Sequence, residues 1–241
     1  LEFTIEAFTH KGTHRKTNED AVLIHDDVLK HNKASLTVTK STRCFVADGV
    51  GGSPGGDQAA QFTLERLMGK LPHNMLPGKE QIHGVLHNIN NELIQFGQQH
   101  KAYEGLATTL AGIAIYNLSY CVVNVGDSVV MLHRKRELAK LFNDQVMPGG
   151  DYNIPISNYF GGFESVLNPK TIYAVDEIVD GDIFLVATDG IFKVFSIDRL
   201  NKVLSNSKSL KEKSEFLLYK ALQIGSPDNI TCVLIEAKIN N

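Results

Sequence analysis

Two strand candidates, residues 109–116 and 120–125, are separated only by Asn117-Leu118-Ser119. A second pair, 129–134 and 138–142, is separated only by Lys135-Arg136-Glu137. Three residues cannot carry a crossover back over a sheet, so each pair must be antiparallel neighbours. Alternating or short apolar runs at 3–7, 21–24, 35–47, 170–175, 182–187 and 230–237 add further strands. Helical spacing appears in only three places. Ala60, Leu64, Leu67 and Leu71 recur until Pro72 stops the run, and Ile82, Leu86, Ile89, Leu93 and Phe96 make a longer stripe. Ser209-Leu210-Lys211-Glu212 reads as a capping box ahead of Leu217, Ala221 and Leu222. Two helices interrupting a β-rich chain and one following it predict an α+β fold: a β-sandwich of two antiparallel sheets flanked by α-helices, in α-β-β-α layers.

No repeat, low-complexity tract or linker breaks the 241 residues, so 1–241 reads as one domain. A net charge of −3 gives no bulk attraction for nucleic acid or an anionic membrane, and no apolar stretch reaches 18 residues. Cys44, Cys121 and Cys232 are odd in number and each falls in a predicted strand. They read as buried thiols of a reducing compartment, hence a cytoplasmic protein. Leu1-Glu2 is not a natural start, so a targeting segment ahead of it stays open. The least regular stretch, 143–169, holds Pro148-Gly149-Gly150, Pro155 and Gly161-Gly162, and is expected to form a flap beside the functional site.

Carboxylates cluster at predicted strand ends. The apolar run to Val46-Ala47 closes on Asp48-Gly49, and Leu185-Val186-Ala187 leads through Thr188 to Asp189-Gly190. Asn18-Glu19-Asp20 precedes one strand and Asp228-Asn229 another. Each motif alone is weak, because Asp-Gly is a common turn signal. Together, four carboxylate-bearing loops beside strands suit hard divalent cations with oxygen ligands. No histidine shows zinc-ligand spacing in a motif; His10 and His14 merely straddle Gly12. The glycines after Asp48 form neither a dinucleotide fingerprint nor a P-loop.

In order, the pieces are Arg15-Lys16-Thr17-Asn18-Glu19-Asp20, Val46-Ala47-Asp48-Gly49-Val50-Gly51-Gly52, Ala107-Thr108-Thr109-Leu110, Val123-Asn124-Val125-Gly126-Asp127-Ser128, Ala187-Thr188-Asp189-Gly190 and Asp228-Asn229-Ile230-Thr231. This set resembles the protein phosphatase 2C family, the metal-dependent Ser/Thr protein phosphatases, over nearly the whole chain and most closely in its compact bacterial branch. The resemblance implies two Mn²⁺ or Mg²⁺ ions per chain. Asp48 would bridge them, the Gly49 carbonyl and Asp20, Asp189 and Asp228 would complete the protein ligands, and Glu19 would hold metal-bound water. Arg15 would clamp the substrate phosphate, and Asp127 would belong to a weak third site. The implied chemistry is in-line attack on phosphoserine or phosphothreonine by a hydroxide bridging the ions. Phosphorylated proteins are the implied partners, with a Ser/Thr kinase and its substrates among them, and the protein is expected to act as a monomer.

Three positions depart from the family pattern. Val50 stands where many members have a histidine, so another group must protonate the leaving oxygen. Lys193 stands where many carry a further metal-binding aspartate, so its ammonium is expected near Asp127 in place of a third ion. Val129 stands where arginine is frequent. Two rival readings are a pseudophosphatase that binds phosphoproteins and a hydrolase of small phosphoesters. The first would be expected to have lost core carboxylates, and Asp20, Asp48, Asp189 and Asp228 are all present.

Overall fold

The computed structural model describes residues 1–50, 55–141, 158–163 and 172–239. Its first half runs β1 (Glu2–His10), β2 (Asp20–Ile24), β3 (Asp27–Leu29), β4 (Asn32–Thr39), β5 (Ser41–Asp48), α1 (Gly56–Lys70) and α2 (Lys79–Gln99). Then come β6 (Ala107–Thr108), β7 (Leu110–Tyr116), β8 (Ser119–Val125), β9 (Val129–Arg134), β10 (Glu137–Lys140), β11 (Phe160–Gly161) and β12 (Ile172–Glu177). The chain closes with β13 (Ile183–Ala187), α3 (Asp189–Phe192), α4 (Ile197–Leu204), α5 (Leu210–Ile224) and β14 (Ile230–Lys238).

The strands form two six-stranded antiparallel sheets, ordered β10-β9-β13-β14-β1-β4 and β12-β8-β7-β5-β2-β3, with β6 and β11 paired separately. Apolar side chains sort by strand period into three layers. On β5, Cys44 and Val46 face the layer between the sheets, where Phe3, Ile5, Ile113, Val122 and Phe184 meet. Phe45 and Ala47 face the opposite way, against Leu64 and Leu67 of α1 and Ile82 and Leu86 of α2. On β14, Val233 and Ile235 point between the sheets, while Cys232 and Leu234 meet Leu200 of α4 and Leu217 of α5. Strands buried on both faces need no polar alternation, which is why 183–187 reads as an unbroken apolar run. The expected α-β-β-α layering is what these three clusters build. All three cysteines are buried free thiols. No helix among the described residues is long and apolar enough to cross a membrane.

One predicted span is corrected and one helix is added. The stretch 35–47 is two strands, broken at Lys40 (φ 67°), so that β4 closes one sheet edge and β5 enters the other sheet. The left-handed conformation that redirects the chain falls on a lysine, without the glycine that normally advertises it. Helix α4 was not expected, although its signals are local. Ser196 accepts a hydrogen bond from the Arg199 amide, and Leu200, Val203 and Leu204 are its buried stripe. The capping box at Ser209 and Glu212 forms as predicted. Both short connections are hairpin turns, with Lys135 (φ 52°) and Arg136 (φ 68°) both left-handed in the second.

Most of the expected flap, 143–169, lies outside the described residues. Its piece at 158–163 is anchored: Phe160 is fully buried, β11 pairs with β6, and the Gly161 amide donates to Asn90 Oδ1 at 2.8 Å.

Candidate metal centre

The carboxylates meet at one end of the sandwich because antiparallel pairing brings the relevant strand ends together. Asp20 opens β2 directly opposite Asp48, the last residue of β5. Ala187, at the end of β13, pairs with Cys232 near the start of β14 and with Val129 at the start of β9. Asp189, Asp228 and Asp127 therefore project from neighbouring ends.

Each motif has a mechanical reason beyond its carboxylate. The Asp48 carbonyl accepts from the Thr109 amide at 2.8 Å and the Thr108 hydroxyl at 2.9 Å, while its amide donates to Thr109 Oγ1 at 3.1 Å. Thr109 in turn contacts Ser128 Oγ at 3.0 Å, and Asn124 Nδ2 donates to the Ser128 carbonyl, so one chain of bonds holds Asp48 and the Asp127 loop. Both Asp-Gly glycines are needed for close approach rather than for a left-handed turn. A Cβ on Gly49 would lie 2.4–2.7 Å from backbone atoms of Gly56, and one on Gly190 would lie 1.8 Å from the Asn229 carbonyl oxygen.

Asn229 is the residue whose role the sequence left unread. Its Oδ1 accepts from the Glu19 amide at 2.9 Å, and its Nδ2 donates to the Lys11 and Thr17 carbonyls, each at 2.9 Å. It ties the loop carrying Arg15 and Glu19 to the loop carrying Asp228. The Asp228-Asn229 pair was visible in the sequence, but nothing there said that the amide spans two loops.

Burial and mutual repulsion dominate the electrostatics. Asp20 is pushed up to about 7, first by burial, with Asp189 and Asp228 adding to the rise and the hydroxyls of Thr231 and Thr188 opposing it. Asp48 is raised well above the ordinary carboxylate range by burial and then by Asp20, Asp189, Asp127 and Asp228. Glu19 is raised too, chiefly by burial, against the pull of Arg15. Asp228 goes the other way: burial pushes it up, but Lys193 and Arg15 outweigh that and leave it lowered. Acceptors also lack donors, since Asp20 Oδ1 and Asp189 Oδ1 are buried without a hydrogen bond. Crowded carboxylates with bare inward oxygens are what a hard cation neutralises, so this donor set fits Mn²⁺ or Mg²⁺.

Two of the chain's own cations reach these ligands. Arg15 donates to Asp228 Oδ2 at 2.8 Å and remains 44% exposed at its side chain. Lys193 donates to Asp228 Oδ2 at 2.7 Å and pairs with Asp189. The turn of α3 makes this possible, with the Lys193 amide bonded to the Asp189 carbonyl one helical turn back. No group of three acidic, histidine or cysteine side chains among the described residues is already closed around a point where an ion would sit. Gly51 and Gly52 lie outside the described residues. Val50 is held through its amide to the Ala107 carbonyl at 2.9 Å and brings no titratable proton.

A family model described as protein phosphatase 2C matches residues 17–228. This chain belongs to that family. The enzyme class follows with it, that of a protein phosphatase. Among curated relatives, the serine/threonine phosphatase stp of Listeria monocytogenes is 25% identical over 247 residues, covering 95% of this chain and 93% of that protein. The protein phosphatase PhpP of Streptococcus pneumoniae is 25% identical over 250 residues, covering 96% of each. Among solved structures, the S. agalactiae serine/threonine phosphatase superposes with a TM-score of 0.82 at 22% identity, covering 98% of this chain and all of that one. The Mycobacterium tuberculosis serine/threonine phosphatase PstP/Ppp gives 0.80 at 21%, covering 99% and 100%. These likenesses bear out the expected sandwich and its bacterial affinity.

Proposed function

We propose that the chain is a phosphoserine/phosphothreonine protein phosphatase whose catalytic centre is built on two Mn²⁺ or Mg²⁺ ions. The observation that carries this reading is the convergence of buried Asp20 with part-buried Asp48, Asp189 and Asp228, carboxylates that repel one another, in a member of a metal-dependent phosphatase family. In this reading Asp48, the Gly49 carbonyl, Asp20, Asp189 and Asp228 would supply the protein oxygens that hold the ions, and Glu19 would hold water beside them. Bound divalent ions would supply the Lewis acidity and the activated water for in-line attack on phosphorus. The chain's own part is geometric. Thr108 and Thr109 fix the Asp48 backbone, Thr188 donates to Asp20 Oδ2 at 2.9 Å, and Asn229 sets Glu19 relative to Asp228.

Arg15 would swing from Asp228 to the phosphoryl group, where its planar fork donates to two oxygens. A half-exposed guanidinium paired at one nitrogen is free to make that exchange. Arg15→Ala is expected to raise KM for phosphopeptides about tenfold, ~1.4 kcal/mol, with a smaller effect on kcat. Steady-state kinetics beside Mn²⁺ calorimetry checks this; altered metal affinity with unchanged KM would make Arg15 a structural partner of Asp228 instead.

The whole reading is tested by hydrolysis of p-nitrophenyl phosphate with Mn²⁺, with Mg²⁺ and in EDTA, followed by a phosphopeptide panel. Turnover should depend on added metal and vanish in EDTA, and full activity in metal-free buffer overturns it. Phosphorylated proteins of a Ser/Thr kinase pathway are the proposed substrates, and the cytoplasm, suggested by three free thiols, is the proposed compartment.

A further inference from the structure

Beside the carboxylate cluster, on the far side of Glu19, lies a groove of about 420 Å³ whose lining includes His10, Lys11, Lys16, Asn18, Lys30 and Asp57. It abuts the centre directly. Asn18 precedes Glu19, Lys16 follows Arg15, and Gly56, next to Asp57, packs so closely that a Cβ there would lie 3.4 Å from Glu19 Cδ. Its charge is opposite to that of the centre. Lys30 is occupied by Asp57 at 3.1 Å, whereas Lys11 and Lys16 are exposed and have no acidic partner among the described residues.

The groove is built rather than incidental. The carbonyls of Lys11 and Thr17, both in its lining, are held by Asn229 Nδ2 at 2.9 Å. His10 Nδ1 accepts from the Gly12 amide at 2.9 Å, so the neutral ring carries its proton on Nε2 and offers a donor. Asn18 is 5% exposed; its Nδ2 donates to Thr9 Oγ1 at 2.8 Å and to the Lys30 carbonyl at 2.7 Å, which leaves Oδ1 a buried acceptor with no donor. An unfilled acceptor and two ammonium groups with no acidic partner among the described residues, all lining one groove, match an extended peptide with a backbone N–H and anionic side chains.

We propose that this groove is a substrate subsite for acidic residues flanking the phosphorylated serine or threonine, held by Lys11 and Lys16. This rests on the phosphatase reading and adds to it the class of substrate preferred. The physical need is plain. A centre crowded with carboxylates repels an acidic approach, and two cations beside it convert repulsion into steering and retention.

The test uses the Mn²⁺-loaded chain and phosphothreonine peptides that differ only in glutamate, neutral or lysine flanks. Wild type should show a KM about tenfold lower for the glutamate flank than for the neutral one, with the gap narrowing as salt rises. Lys11→Glu/Lys16→Glu should abolish or invert that order while p-nitrophenyl phosphate turnover stays within about twofold. Lys11→Glu alone should carry part of the effect, which guards against a disturbance of Arg15 by its neighbour. Equal KM values across flanks in the wild type, or a variant that loses all peptides and p-nitrophenyl phosphate alike, would overturn the subsite. If the wild type hydrolyses nothing with Mn²⁺, the phosphatase reading fails instead. Fluorescence anisotropy of the same labelled peptides then reads the groove by itself, with equal binding of all three flanks deciding against it.

Discussion

Asp48→Asn should lower kcat on p-nitrophenyl phosphate more than about a hundredfold, ~2.7 kcal/mol of barrier, and at the same time raise the melting temperature of the metal-free protein. The two effects have one cause. Asp48 is part-buried among Asp20, Asp189, Asp127 and Asp228, and desolvation followed by their charges lifts its pKa well above the ordinary carboxylate value. A carboxyl raised by folding stabilises the fold fully only below its unfolded pKa, and that contribution is lost as pH rises through the folded value. Above its unfolded value the group therefore opposes folding, increasingly until pH passes the folded value, and the neutral amide removes the opposition. About 1 kcal/mol of relief shifts the melting point of a chain this size by roughly 2–4 °C, and the gain should be larger at pH 8 than at pH 5, which lies nearer the ordinary carboxylate value. With Mn²⁺ present the order should reverse, since the wild type gains binding energy that the variant has lost. Thermal scans in EDTA and in Mn²⁺ at both pH values, beside turnover, check all of this. Turnover above a tenth of wild type would remove Asp48 from the shared-ligand position.

How much of this was readable beforehand depends on whether the cause was local. Antiparallel pairing followed from the shortness of 117–119 and 135–137, and β7 with β8 and β9 with β10 formed as read. The stripes through Leu64 and Leu86 became α1 and α2 because their period alone specifies one buried face. Asp48, Asp189 and Asp228 were legible because each sits beside a glycine or asparagine at a strand end, and Asp20 because it opens a strand after Asn18-Glu19. What escaped was set by tertiary contact. Lys40 turns the chain from one sheet to the other in a conformation a lysine does not announce, and Asn229 bridges loops 210 and 212 residues away in sequence, at Glu19 and Thr17. The helical turn that sets Lys193 beside Asp189 forms as read. Spacing put it on the same face as Asp189 and could not say that Asp228 would be the other partner, because Asp228 arrives from beyond α4 and α5.

That placement gives the last expected result. Lys193 Nζ lies 2.7 Å from Asp228 Oδ2 and is paired with Asp189, so a tethered ammonium occupies two carboxylates assigned to the metal. Burial works against the charged lysine, yet the two aspartates outweigh it and raise its pKa, so it stays protonated at any pH where the enzyme would operate. The side chains are partly shielded, 28% exposed for Lys193, 24% for Asp189 and 16% for Asp228, so the pairing is worth more than a surface ion pair and less than a fully buried one. Lys193→Met should therefore cost the metal-free protein about 2 kcal/mol, since two half-buried carboxylates lose their counter-charge. That corresponds to a melting point lower by roughly 4–8 °C. The same change should tighten Mn²⁺ binding about tenfold, ~1.4 kcal/mol, because an incoming cation no longer has to displace the ammonium. The increment in melting temperature on adding Mn²⁺ should then exceed that of the wild type. Arg15, also on Asp228, limits the loss and should make Arg15→Ala/Lys193→Met worse than either change alone without metal. Calorimetry and thermal scans read both quantities without reference to turnover. Unchanged Mn²⁺ affinity together with an unchanged metal-free melting point would show that Lys193 leaves these carboxylates in solution.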